Sequence, residues 1–237
     1  IAEEDVFLVK DKKALTPKRW FGIAVITLFL FFLLGIIVFP RGERGATDSA
    51  TSTPGSYQAA LAGGCAGAGS SDDESVRDRK PKDTQWVTTD SGWTAPKAEV
   101  VGPLVDSPLR ACFEHSAEGA LYSSAWTLVQ INDPQVRDSA LEQLLTGPGQ
   151  EAAKKSLRDS KTRHGESSFH IAGYRYLSYS PDRATIRLMI QTSGGDYRSM
   201  DMIMVWESND WRLYVPQNVE NSISRVTDTS RFIIWGA

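Results

Sequence analysis

The chain has 237 residues, a formal net charge of −3 and charges of both signs in nearly equal number. That length allows one domain of ordinary size besides any anchor or tail. Acidic and basic residues are mixed along the chain rather than gathered into a basic patch, so direct nucleic-acid binding is not expected.

Residues 1–19 carry Lys10, Lys12, Lys13, Lys18 and Arg19. An apolar run follows over residues 20–39, with no charge and only Thr27 as a polar side chain. A helix of that length spans about 30 Å, the thickness of a bilayer's hydrocarbon core. The sequence therefore predicts a transmembrane helix at 20–39 that contacts membrane lipid. Basic flanks remain in the cytoplasm, so 1–19 reads as a cytoplasmic tail and the remainder as extracytoplasmic, giving a single-pass cell-membrane protein. A cleaved signal peptide would have a shorter apolar stretch and a small-residue cleavage site. The Leu61–Cys65 stretch resembles a lipobox but lacks the apolar segment that must precede one.

Residues 40–84 are dominated by Gly, Ser, Ala, Thr and charges, a composition that reads as a flexible extracytoplasmic tether. An α+β extracytoplasmic domain is expected over 85–216, and a C-terminal tail over 217–237. Cys65 and Cys112 both fall on the oxidising side and are a candidate disulfide, the alternative being two free thiols. The stretch 85–116, with Trp86, Trp93 and prolines, suits an extended arm packed on the domain.

Ser116 is a good N-cap, and Leu121, Ala125, Leu128, Val129 and Asn132 recur at helical spacing. Asp133 followed by Pro134 predicts a second helix whose apolar face is Val136, Ala140, Leu144 and Leu145, ended by Gly147. A more polar helix is expected over 149–161. The period then changes: 169–180, 184–192, 196–208 and 210–217 alternate or run apolar as strands do, joined by short turns. Helices followed by an antiparallel meander predict about three helices packed on one face of a four-stranded antiparallel sheet. The end of the tail, Phe232, Ile233, Ile234 and Trp235, is apolar and must dock on its own domain or on a partner, so these residues are interaction candidates.

Three segments carry a family resemblance: 102–126, 174–190 and 205–216. Within the first, Cys112, Phe113, His115, Ser116, Gly119, Ala120 and Leu121 form a Cys-Phe-x-His-Ser-x-x-Gly-Ala-Leu motif. Together they resemble actinobacterial single-span membrane proteins of integrative or conjugative elements. The layout is similar to the bitopic scaffold subunits of type IV secretion (conjugation) systems. The resemblance implies a cystatin-like, or nuclear transport factor 2-like, outer domain, with Cys65 matching an upstream cysteine near the tether.

The catalytic inventory is thin. His115 reads as a residue fixing the start of the first helix, and His164 as a solvated loop residue. His170 at a strand start could pair with Asp201 or Asp196 as a general base in a sheet pocket. No GxSxG, HExxH, P-loop or GxGxxG pattern occurs, and no metal ligands stand at usable spacing. Catalytic, cofactor and metal residues are thus expected to be absent. The leading expectation is a non-enzymatic, membrane-anchored scaffold or assembly subunit of a cell-envelope complex, homo-oligomeric and bound to other membrane-complex subunits. The competing expectations are an anchored module that binds a ligand or peptide, and a small enzyme of the same fold.

Overall fold

A computed structural model describes residues 65, 68–105, 109–159, 168–218 and 223–236. The expected span at 20–39, the tail at 1–19 and His164 lie outside the described residues, and no described helix is long and apolar enough to cross a membrane.

The elements in chain order are β1 (Gln85–Thr88), β2 (Thr94–Lys97), α1 (Ala117–Asn132), α2 (Arg137–Gln143), β3 (Leu145–Thr146) and α3 (Gln150–Asp159). They continue as β4 (Phe169–Ser180), β5 (Arg183–Thr192), β6 (Tyr197–Glu207), β7 (Asp210–Tyr214), β8 (Ser224–Arg225) and β9 (Ile233–Ile234). A short 3₁₀ turn at Ser75–Arg77 precedes them.

The four-stranded antiparallel sheet and the cystatin-like fold expected from the sequence do not hold. The main sheet has seven strands and is mixed, ordered β3-β7-β6-β5-β4-β9 with β8 also on β6, and β1 and β2 form a separate two-stranded sheet. The four long strands do form an antiparallel meander. β3 adds a parallel edge through Leu145 and Thr146, and β9 pairs with β4 at Gly173 and Tyr174. These added strands are two residues long. Periodicity has nothing to act on over two residues, and backbone bonding to a preformed edge decides such pieces. Leu145, expected on a helix face, is therefore a strand residue.

Helix α1 is buried on nearly every side because it lies between the sheet and the β1–β2 layer. Trp126 Nε1 donates to Pro96 O of β2 (2.6 Å), while Ser123 Oγ donates to Trp211 O of β7 (3.2 Å). Its polar side chains find partners inside: the Gln130 side chain receives Arg110 N–H (2.6 Å) and donates to Arg110 O (3.2 Å). The expected Ser116 cap forms, with Oγ accepting from Gly119 N (3.0 Å) and donating to Glu114 Oε2 (2.6 Å). Ser116→Ala should cost about 1 kcal/mol, read as a lowered urea midpoint with an unchanged denaturant slope. A Cβ on Gly119 would stand 1.8 Å from Glu114 O, so only glycine permits this chain crossing.

Helix α2 starts three residues later than its sequence signals suggest. Asp133 closes α1 and its Oδ1 accepts from Gln135 N (3.0 Å), so residues 134–136 form a turn before Arg137.

The inner face of the sheet carries Tyr174, Ile186, Leu188, Ile190, Met202, Met204 and Trp211 against α1. Trp235 joins this core at 3 % exposure and sits 5.1 Å from Trp86 and 5.4 Å from Tyr122, ring to ring. The apolar tail end thus docks on its own domain. Trp235 is core and Ile233 is half-buried, while Ile234 stays 62 % exposed and Phe232 lies under Arg175.

Residues 68–84, which read as tether, pack on the domain. Val76 is in the core, and Tyr174 Oη donates to Val76 O and Arg79 O (2.7 and 2.9 Å). A Gly- and Ser-rich composition hides this, because Val76, the Thr84 hydroxyl and backbone groups do the docking rather than a patterned apolar face.

Candidate functional site

Cys65 and Cys112 are joined by a disulfide across a sequence separation of 47. Both are buried, and both take left-handed backbone conformations, φ 45° and 63°. Asp210 lies against the bond at 1 % exposure. Its carboxylate oxygens accept from the N–H groups of Cys112 (2.8 Å), Phe113 (3.1 Å) and Trp211 (2.9 Å). Burial raises the Asp210 pKa to about 6, against the pull of those three N–H donors and of Arg212.

The sequence positions Asp210 through a tight hairpin. Ser208 and Asn209 both have positive φ, 55° and 63°, which is the two-residue primed turn that suits twisted antiparallel strands. Asp210 is therefore the first residue of β7, at the place where the 110–116 segment crosses. The two sulfurs and an Asp210 oxygen lie within 4.8 Å of one another. With both sulfurs committed to the bond, no thiolate is present there to hold a metal, and the arrangement works as a covalent and hydrogen-bonded clasp.

A second feature is a cleft of about 350 Å³ between residues 73–83, residues 98–101 and the first turn of α1. Glu118 projects into it, half-buried, and its pKa is raised by burial and by Glu114, Asp73 and Asp83 nearby. Arg79, Lys80 and Lys82 also line it. Beneath, Tyr122 Oη is 2.6 Å from Thr84 Oγ1, which accepts from Trp235 Nε1 at 3.0 Å. Burial raises the Tyr122 pKa, so this hydroxyl stays protonated. Most of this cleft comes from the stretch read as tether, so the sequence offered no sign of it beyond the charge run Asp72–Lys82.

The structure separates the residues expected to form a catalytic pair. His170 is exposed on β4, opposite Gln191. Asp201 is bound by Arg187 in a two-pronged pair (2.5 and 2.8 Å), and Asp196 by Arg225 (2.9 Å). His115 stacks on Trp206 (4.0 Å, 9° between planes), and its Nε2 donates to Pro181 O (2.9 Å). Asp182 Oδ1 lies 3.2 Å from the same nitrogen. The ring thus pins the chain before α1 to the β4–β5 turn, a positioning duty of the kind read from its place in the sequence.

No curated protein and no solved structure matches the chain. Residues 45–234 match the family described as a domain of unknown function, DUF8175. The match takes in the clasp, the cleft and the C-terminal edge strand as well as the helices and the meander. The chain belongs to the DUF8175 family.

Proposed function

We propose that this protein is a non-enzymatic, membrane-anchored assembly subunit whose folded domain stands outside the cytoplasmic membrane. The complex it serves would be a cell-envelope machine of the conjugation or type IV secretion kind. The observation that carries this reading is the clasp. A disulfide between the stretch following the apolar run and the first helix segment makes an oxidising compartment the natural home of the domain. It also fixes residue 65 covalently to the domain, which sets where the tether from the anchor meets the fold. The charge flanks of residues 20–39 support the same orientation, and the resemblance of the 112–121 motif supports the class of complex.

The test is crosslinking of the full chain in membranes of its native host, with a membrane-impermeant reagent applied from outside. Crosslinked species containing a second copy or another membrane subunit are expected. Recovery of the chain only as an unlabelled monomer would refute the reading.

The cleft favours a second reading, an anchored module that binds a small ligand. The half-buried Glu118 carboxylate within the cleft and the cations of Arg79, Lys80 and Lys82 around it suit a zwitterion carrying both an amine and a carboxylate. A thermal shift of the purified chain with short peptides, lost on Glu118→Gln, would support it. No shift across such a set would remove it.

A further inference from the structure

The sheet's outer face, turned away from α1, falls into two halves. β8 pairs with β6 at Arg198 and Ser199, and β9 pairs with β4 at Gly173 and Tyr174, so the chain between them crosses from one side of the sheet to the other. Phe232 of this crossing lies beneath the Arg175 guanidinium, 6.0 Å from it. On the half that β8, the crossing and β9 occupy, Met189 is fully buried and Ser199 nearly so. Beyond it, no described element covers the second half of the face.

That half is rich in arginine. Arg175 on β4 stands directly opposite Arg187 on β5, and Arg187 opposite Asp201 on β6. Four residues further along, Arg183 on β5 and Arg212 on β7 flank Val205 in one row. Like charges opposed on neighbouring strands are destabilising unless a counter-charge attends them. Asp201 attends Arg187 alone. The Nε atoms of Arg175 and Arg212 are buried and have no acceptor among the described residues. A buried donor left unpaired is costly, so the domain's own acceptors do not fully satisfy either guanidinium.

Resting on the assembly reading above, we propose that this half-face is the docking surface for an acidic segment of a partner protein. Its carboxylates would complete the arginine rows as Asp201 completes Arg187. Charge complementarity selects the occupant. The face offers Arg175, Arg183 and Arg212 beyond the internal Arg187–Asp201 pair, and those guanidinium forks match carboxylates two-pronged.

The companions of these arginines argue for a protein rather than a phosphate polymer. Tyr214 lies under Arg183 (4.8 Å), Ile203 stands between the rows and Val205 within the second, and no lysine occurs anywhere in residues 168–218. Arginine with tyrosine and aliphatics, and without lysine, is the composition of a protein interface. The chain as a whole is net negative, which weakens long-range attraction for a polyanion while leaving short-range pairing intact.

The experiment uses the full chain in detergent with poly-L-glutamate as the probe and inorganic polyphosphate of matched charge as competitor. Binding of poly-L-glutamate that weakens with salt is expected. Arg183→Gln, at an exposed position, should weaken it several-fold, and the triple change of Arg175, Arg183 and Arg212 to Gln by about tenfold or more. An unshifted melting temperature for Arg183→Gln keeps that result interpretable should the triple variant misfold. A photo-crosslinker at Thr185, on the same face, should capture in native membranes a partner peptide rich in Asp and Glu. Absence of binding, unaltered binding by Arg183→Gln, or preference for polyphosphate would overturn the proposal. Binding of poly-L-glutamate with no crosslinked partner in membranes would instead count against the assembly reading and leave the chemistry of the face standing.

Discussion

Replacing Asp210 with alanine should lower the unfolding free energy by about 3–5 kcal/mol at pH 7, since three buried N–H groups lose a charged acceptor together. Those donors belong to Cys112, Phe113 and Trp211, so the loss would loosen the 110–116 crossing and the start of β7 at once. Equilibrium denaturation in urea would read it as a lowered midpoint. A change below about 1 kcal/mol would show that water or a neighbouring group replaces the carboxylate, and would undo the assignment of Asp210 as the clasp's acceptor.

The same residue makes stability depend on pH in a defined sense. Burial lifts its folded pKa to about 6, above the ordinary 3.8. The folded state therefore holds this proton more firmly than the unfolded chain does. The stabilisation is fully present below pH 3.8 and is lost as pH rises through 6. A shift of about two units corresponds to about 3 kcal/mol. Denaturation of the wild type and of Asp210→Asn at several pH values between 4 and 7 isolates this contribution. The wild-type advantage should shrink as pH rises through that window. A difference that is flat, or grows with pH, would contradict the burial-driven shift.

Removal of the disulfide is the second large effect. For the 47-residue separation of Cys65 and Cys112, constraint of the unfolded chain is worth about 4 kcal/mol. Cys65→Ser combined with Cys112→Ser should therefore lower the melting temperature markedly, and reductant should do the same to the wild type but not to the double variant. An unchanged melting temperature would show that the non-covalent contacts of residues 68–84, among them the Tyr174 and Thr84 hydrogen bonds and buried Val76, hold the segment without the bond. Combined with Asp210→Ala, the losses should fall short of the sum, because both changes release the same segment around Cys112.

The positions of α1 and of the four long strands were legible in the sequence because each carries enough residues for its period to repeat. Ser116, Gly147 and the turns at 181–182, 194–195 and 208–209 punctuate them with residue types that can do little else. The two-residue strands β3, β8 and β9 were not legible, nor was the start of the domain before residue 85. Those pieces hold position through backbone bonds and single side chains, as Val76 and Trp235 do, rather than through a patterned face. The candidate catalytic pair failed for a related reason. Strand alternation places Asp201 on the face opposite the core, but only the register reveals that Arg187 stands across from it.

By itself the sequence determined a folded domain of helices followed by an antiparallel meander, two cysteines on the same side of the apolar run, and an apolar run long enough to span a bilayer. These follow from local periodicity, turn chemistry and composition, all of which act over a few residues. Only the tertiary structure decided that the described residues form a seven-stranded sheet, that the clasp is Cys65, Cys112 and Asp210 together, and that arginines from three strands share one half-face that no described element covers. Those outcomes depend on which distant segments become neighbours, and a pattern along the chain carries no record of that until burial and hydrogen bonding have chosen among the possible pairings.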